Sequence, residues 1–149
     1  MLFILISIII FSAIIYFMPK LMTPLEMYAT SWFALTFVLI VDTYLSLQFD
    51  LYGYFFEGGF DYRTLIVHFG IYPTYNIIFL NFFPKKRLNQ LLYILGHSFI
   101  LVAFEWTTIK VGAFHHKEWE IWYSAMLYPI ILLILYWNLK LLRVLKNKE

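Results

Sequence analysis

Long apolar stretches recur along this chain and are separated by short polar connections. Away from the ends of these stretches, the only charged residues are Asp42 and Glu105. A membrane-spanning helix needs about 20 predominantly apolar residues. The pattern therefore predicts one all-α transmembrane domain over 1–149, a polytopic bundle of five spans, at about 1–18, 24–46, 63–83, 88–110 and 120–142.

Composition supports a membrane protein and excludes several other classes. Hydrophobic residues make up 62% of the chain and charged residues 13%, against about 45–50% and about 25% in soluble domains. A soluble globular protein, a disordered chain and a nucleic-acid-binding protein with a basic face are thus excluded. The chain has no cysteine, so it forms no disulfides and has no thiolate chemistry.

Local signals mark the ends of several predicted helices. Thr23, Pro24 and Glu26 have the spacing of a capping box with proline at the first helical position. Asp61 is expected to cap the third span and Gly112 to terminate the fourth. The first span has no basic start and no small-residue cleavage site, so we expect a retained helix rather than a signal peptide.

Lysine and arginine segregate to one set of predicted connections. Eight lie on one side: Lys20, Lys85, Lys86, Arg87, Lys140, Arg143, Lys146 and Lys148. Three lie on the other: Arg63, Lys110 and Lys117. Because basic residues favour the cytoplasmic side, we expect the N-terminus outside and the C-terminus in the cytoplasm, in a bacterial cytoplasmic membrane.

The outer segment 47–62 is unusually aromatic, with seven aromatic residues among sixteen. Aromatic rings commonly settle at the membrane interface, which favours a belt lying on the outer leaflet. The alternative is a lid over a cavity between the helices. Gly53, Gly58 and Gly59 argue against a long regular helix in this segment.

Ionisable residues inside spans are costly, and they mark functional sites by default. Four lie within the predicted spans: Asp42, His68, His97 and Glu105. His68 and Glu105 are each five residues from an outer basic residue, or about 7.5 Å along a helix. We therefore expect a polar layer in the outer half of the membrane, where His68 and Glu105 meet and Tyr72, Asn76 and Thr108 lie beside them.

Three kinds of site fit this polar layer. The first is a structural network of hydrogen bonds between helices. The second is a proton or ligand site, including a relay along His97, His68 and Glu105. The third is a metal site, whose candidate ligands are His68, Glu105, His115 and His116.

Three functions remain open at this point. The leading expectation is a non-enzymatic scaffold or partner in a membrane complex, because no catalytic motif is recognisable. The alternatives are a proton or small-cation transporter or channel component and an intramembrane metal-dependent enzyme. The expected partners are the lipid bilayer, other membrane proteins or a second copy of the chain, and no nucleic acid. The sequence leaves cofactor, substrate and oligomeric state open.

Several segments resemble an uncharacterised family of small multi-pass integral membrane proteins found mainly in spore-forming Firmicutes. The residues that carry the resemblance are Val41–Leu45, Asp50–Tyr54, Phe69–Pro73, Asn81–Pro84, Glu105-Trp106, Trp122–Ser124 and Tyr128-Pro129. The resemblance implies a multi-pass membrane fold. It is also the only basis for expecting a spore membrane as one location. It implies no activity.

Overall fold

The computed structural model describes residues 1–55 and 61–148, and the described chain is mainly helical. The helices are α1 (Leu2–Phe17), α2 (Pro24–Asp42), α3 (Tyr62–Asn81), α4 (Arg87–Lys110) and α5 (Ile121–Lys146). A π-helical segment, Thr43–Gln48, continues α2. Two short strands, β1 (Tyr52–Tyr54) and β2 (Phe114–His116), complete the described fold.

The predicted helix caps are present. The Thr23 side chain accepts from the Glu26 backbone N–H, and the Glu26 carboxylate accepts from the Thr23 N–H at 2.8 Å. Asp61 precedes α3 and accepts from the backbone N–H of Arg63 at 2.8 Å. Gly112 follows α4 with a φ of 68°, a left-handed conformation that glycine adopts without strain.

Three helical segments are long and apolar enough to cross a membrane: Pro24–Gln48, Arg87–Lys110 and Ile121–Lys146. Their outward faces carry exposed apolar side chains, such as Leu92 and Ile130. An apolar surface of this extent fits lipid rather than water. These helices indicate a membrane protein.

The other two predicted spans, α1 and α3, do not meet the same criteria. α1 has 16 residues, or about 24 Å at 1.5 Å per residue, which is shorter than the hydrocarbon core of about 30 Å. α3 has 20 residues but carries His68, Pro73 and Asn76. α3 contacts the other helices on several sides, so its polar residues face protein rather than lipid.

Packing places α3 at the centre of the bundle. It lies closely against α1 and α2, while α4 lies against α5. Gly70 permits the close approach of α1, since a Cβ there would come within 2.3 Å of the Ile8 side chain. Short connections predict three pairs of neighbours: α1 with α2, α3 with α4, and α4 with α5. α4 lies on α5 as predicted, and aromatic pairs such as Phe79 and Tyr93, with ring centroids 5.4 Å apart, join α3 to α4. α1, however, lies mainly on α3.

At the basic end of the bundle, two buried polar side chains, Asn81 and Glu26, connect the helices. The Asn81 side chain accepts from the backbone N–H groups of Leu21 and Met22 and donates to the Pro19 carbonyl. The Arg143 guanidinium donates to Glu26 at 2.7 Å, which connects the end of α5 to the start of α2. This end of the bundle is therefore held by specific polar contacts as well as by apolar packing.

At the opposite end, β1 and β2 form an antiparallel ribbon in which Tyr52 pairs with His116 and Tyr54 with Phe114. Alternate residues of a strand point to one face, so these four side chains share a face. The imidazole of His115 lies on the other face, over Gly53. The ribbon therefore joins the outer segment to the connection between α4 and α5.

Candidate functional site

The bundle contains a partly open cavity of about 520 Å³ beside the ribbon. All five helices and the ribbon contribute to its wall, which is mostly apolar. Its polar side chains include Asp42, Tyr72, Asn76, Glu105, Thr108, Ser124 and Tyr128. This is the most prominent candidate site in the described part of the chain.

Asp42 lies at the end of α2 and accepts three hydrogen bonds. The hydroxyls of Tyr52 and Tyr54 donate to it at 2.7 and 2.8 Å, and His68 Nε2 lies 2.7 Å from Oδ2. A carboxylate only accepts, so the Nε2 of His68 carries the proton. The network thus joins α2, α3 and the ribbon around one buried carboxyl group that is 8% exposed.

The two ribbon tyrosines act as hydrogen-bond donors. Burial is the main cause that raises the pKa of Tyr52, and the nearby Asp42 carboxylate adds to it. Burial also raises the pKa of Tyr54, reinforced by Tyr72 and Asp42. Because the Tyr54 hydroxyl donates its hydrogen bond to Asp42, its oxygen accepts a hydrogen bond from the Tyr72 hydroxyl, 2.7 Å away. The hydroxyls of Tyr52 and Tyr54 therefore remain protonated at physiological pH.

Glu105 forms a second network on α4. His116 Nε2 lies 2.7 Å from Oε1, the Ser124 hydroxyl donates to the same oxygen at 2.8 Å, and Tyr128 donates to Oε2. Ser124 also accepts from the Trp119 indole at 2.8 Å. Glu105 is 6% exposed, and its carboxylate joins α4, α5 and the ribbon.

The structure separates residues that the sequence places in one layer. His68 pairs with Asp42 rather than with Glu105. His97 lies apart, where its Nδ1 is 2.7 Å from the Tyr75 hydroxyl and its ring packs on Phe79. The relay predicted along His97, His68 and Glu105 is therefore divided among three hydrogen-bonded groups.

The neighbouring residues expected from helical spacing differ in their surroundings. The rings of Tyr72 and His68 stack with centroids 5.7 Å apart. The Thr108 hydroxyl donates to the Glu105 backbone carbonyl at 2.6 Å. Asn76 lines the cavity and is 1% exposed, and neither of its side-chain polar atoms has a hydrogen-bond partner.

The metal hypothesis gains no support from the geometry. Across residues 1–55 and 61–148, no three His, Asp or Glu side chains come together in a way that would hold a metal ion. Of the candidate ligands, His116 pairs with Glu105 and His68 with Asp42. His115 lies on the opposite face of the ribbon from His116, over Gly53.

The outer segment contributes to the site. Tyr52 and Tyr54 line the cavity and contact Asp42, which favours the lid alternative over a belt on the lipid surface. Residues 56–60 of the same segment lie outside the described part. Sequence reasoning missed the role of the two tyrosines because the strand pairing that positions them is not local.

Sequence reasoning also missed Ser124 and Tyr128 as partners of Glu105. These residues are four apart on α5 and therefore share one helical face. A hydroxyl pair at that spacing inside an apolar span is the signal that predicts a buried polar partner.

Comparison with known proteins adds no further assignment. The resemblance to a family of small membrane proteins therefore remains a prediction from the segments that carry it. No family model, curated protein or solved structure matches this chain.

Proposed function

We propose that this chain is a five-span integral membrane protein that works as a non-enzymatic binding protein or complex partner. Its cavity holds a small, largely apolar molecule. The observation that carries this proposal is the cavity itself, whose volume of about 520 Å³ falls within the range of about 300–1,000 Å³ typical of small-molecule sites.

The two carboxylates support a binding role by building the wall of this cavity. Asp42 and Glu105 each accept hydrogen bonds from three side chains on other elements. Buried acceptors with several partners on other elements hold helices together. They fit the scaffold expected from the sequence better than the transporter, since the groups of the predicted proton relay lie in separate networks.

The proposed topology has the N-terminus outside and the basic end of α5 in the cytoplasm. The chain contains no cysteine, so single-cysteine variants report accessibility directly. We expect Asn147→Cys in right-side-out vesicles to react with a membrane-impermeant maleimide only after permeabilisation. Val111→Cys is expected to react without permeabilisation. Neither substitution changes a charged residue, so the distribution of lysine and arginine that sets the orientation is preserved. The reverse pattern would contradict the topology.

Filling the cavity tests the binding proposal. Ser7 lines the cavity and is 7% exposed, whereas Ser12, on the same helix, is exposed. In nanodiscs containing a dodecane analogue with a photoreactive diazirine, we expect cavity residues of the wild type to be labelled. Ser7→Phe is expected to reduce this labelling several-fold, because the ring occupies the chamber, and Ser12→Phe is expected to leave it unchanged.

Peptide mapping by mass spectrometry locates the label in this experiment. Leu132 is a suitable reporter because it belongs to the cavity wall and is shielded from probe molecules in the surrounding lipid. If the wild-type cavity residues take up no label, or if Ser7→Phe and Ser12→Phe label equally, the binding proposal is wrong. Circular dichroism of each variant establishes that the helices are retained.

A further inference from the structure

Asn76 is the one cavity-lining residue of the described chain whose side-chain polar atoms are both buried and unpartnered. It lies in the second half of α3, one helical turn beyond Tyr72, and is 1% exposed. Its carboxamide presents an acceptor oxygen and a donor nitrogen. Asn76 thus places an unpartnered amide in the mostly apolar wall of the chamber, where its polar atoms are covered by neighbouring atoms.

An unpartnered carboxamide in this position is costly without a ligand. Burying an amide without hydrogen bonds costs about 1–3 kcal/mol in proteins, and nearly all buried polar groups have partners. Leucine would fill a similar volume without that cost. The hydroxyls of Tyr72 and Thr108 do not donate to Asn76, because Tyr72 donates to Tyr54 and Thr108 donates to a backbone carbonyl.

The charges of the cavity restrict the partner further. Asp42 and Glu105 both line the chamber, and their carboxylates disfavour an anionic headgroup. Each carboxylate already accepts three hydrogen bonds from protein donors, which leaves about one of its four acceptor sites for a cation. The remaining partner of Asn76 is an uncharged group that donates and accepts at once.

We propose that the cavity binds an uncharged amphipathic molecule whose polar group, of the carboxamide or alcohol type, pairs with both the oxygen and the nitrogen of Asn76 as this side chain turns towards the chamber. The apolar part of the molecule occupies the chamber between α1 and α4. This inference rests on the proposed function and adds the chemical class of the ligand and the residue that recognises it. A lone water molecule at Asn76 is the competing occupant, and it needs two to four polar partners.

Three photoreactive probes of equal chain length test the proposal: lauramide, lauryl alcohol and dodecane, each with a diazirine at the chain end. In wild-type nanodiscs we expect lauramide and lauryl alcohol to label cavity residues several-fold more than dodecane. Asn76→Leu is expected to bring the three probes to parity. Asn89→Leu, which changes an exposed asparagine on α4, is expected to retain the preference.

The possible outcomes separate this inference from the proposed function. Equal labelling of the cavity by all three probes in the wild type overturns the recognition by Asn76 and leaves cavity binding intact. Absence of cavity labelling by every probe overturns both. The wild-type comparison does not depend on the folding of any variant. In the absence of probe, the midpoint of thermal unfolding of Asn76→Leu is expected to equal or exceed that of the wild type. A lowered midpoint would instead indicate that Asn76 has a protein or water partner.

Discussion

Asp42→Asn is expected to lower the free energy of unfolding by about 2 kcal/mol, the typical contribution of hydrogen bonds to a charged group. The carboxylate of Asp42 accepts from Tyr52, Tyr54 and His68. The asparagine amide replaces one of the two carboxylate oxygens with an NH₂ group, which cannot accept. At least one of the three side chains then loses its acceptor, and at least one buried hydrogen bond is lost. Equilibrium unfolding in mixed micelles measures the change.

Asp50→Asn is the matched control for this substitution. The Asp50 side chain is 67% exposed and pairs with Lys117 at 2.7 Å, and such exposed pairs contribute about 0–1 kcal/mol. Asparagine also tolerates the positive φ of Asp50. Faster amide exchange in the ribbon is expected for Asp42→Asn alone. Equal stability of the two variants would show that the Asp42 network does not hold the ribbon in place.

The parts of the structure that are predictable from sequence are those that depend on neighbouring residues. The capping box of Thr23 and Glu26 forms as expected, because both partners lie within one helical turn. Asp61 caps α3 for the same reason. Each of the five apolar stretches is helical, since local hydrophobic pattern and backbone hydrogen bonding agree there.

The partners of the buried polar residues were not predictable in the same way. Asp42 and Glu105 are recognisable as buried groups because each interrupts an apolar stretch. Their partners depend on which helices pack together and on the pairing of β1 with β2, whose residues are far apart in sequence. The sequence predicts that His68 meets Glu105, but α3 packs closely on α2, and this brings His68 to Asp42.

The same distinction explains why the cavity could not be foreseen. A cavity arises where large side chains hold helix backbones apart, and no local pattern encodes that separation. Between α3 and α4, the rings of Phe79, Tyr93 and His97 pack against one another. The chamber lies beyond this aromatic contact, towards the ribbon. Asn76 could be predicted as a polar residue of α3, but its lack of a partner is visible only in three dimensions.

The second network provides the larger expected loss of stability. Glu105→Leu removes the acceptor of Tyr128, Ser124 and His116 together, and breaking a buried charged network costs about 3 kcal/mol or more. Glu118→Leu, at an exposed position, is expected to change the free energy of unfolding by less than about 0.5 kcal/mol. Unfolding in mixed micelles again provides the measurement.

A double-mutant cycle separates a structural from a functional role for this carboxylate. Adding Tyr128→Phe to Glu105→Leu removes the orphaned hydroxyl, so part of the lost stability is expected to return. Tyr123→Phe, at an exposed position of the same helix, is expected to show no coupling to Glu105→Leu. If the double variant regains stability and still admits the dodecane probe, Glu105 serves to build the cavity wall. If stability returns but cavity labelling is lost, the carboxylate takes part in binding, and the structural assignment of Glu105 is wrong. Without coupling to Tyr128, the hydrogen bond between these two residues contributes nothing to the fold, and the loss in Glu105→Leu must come from Ser124 and His116.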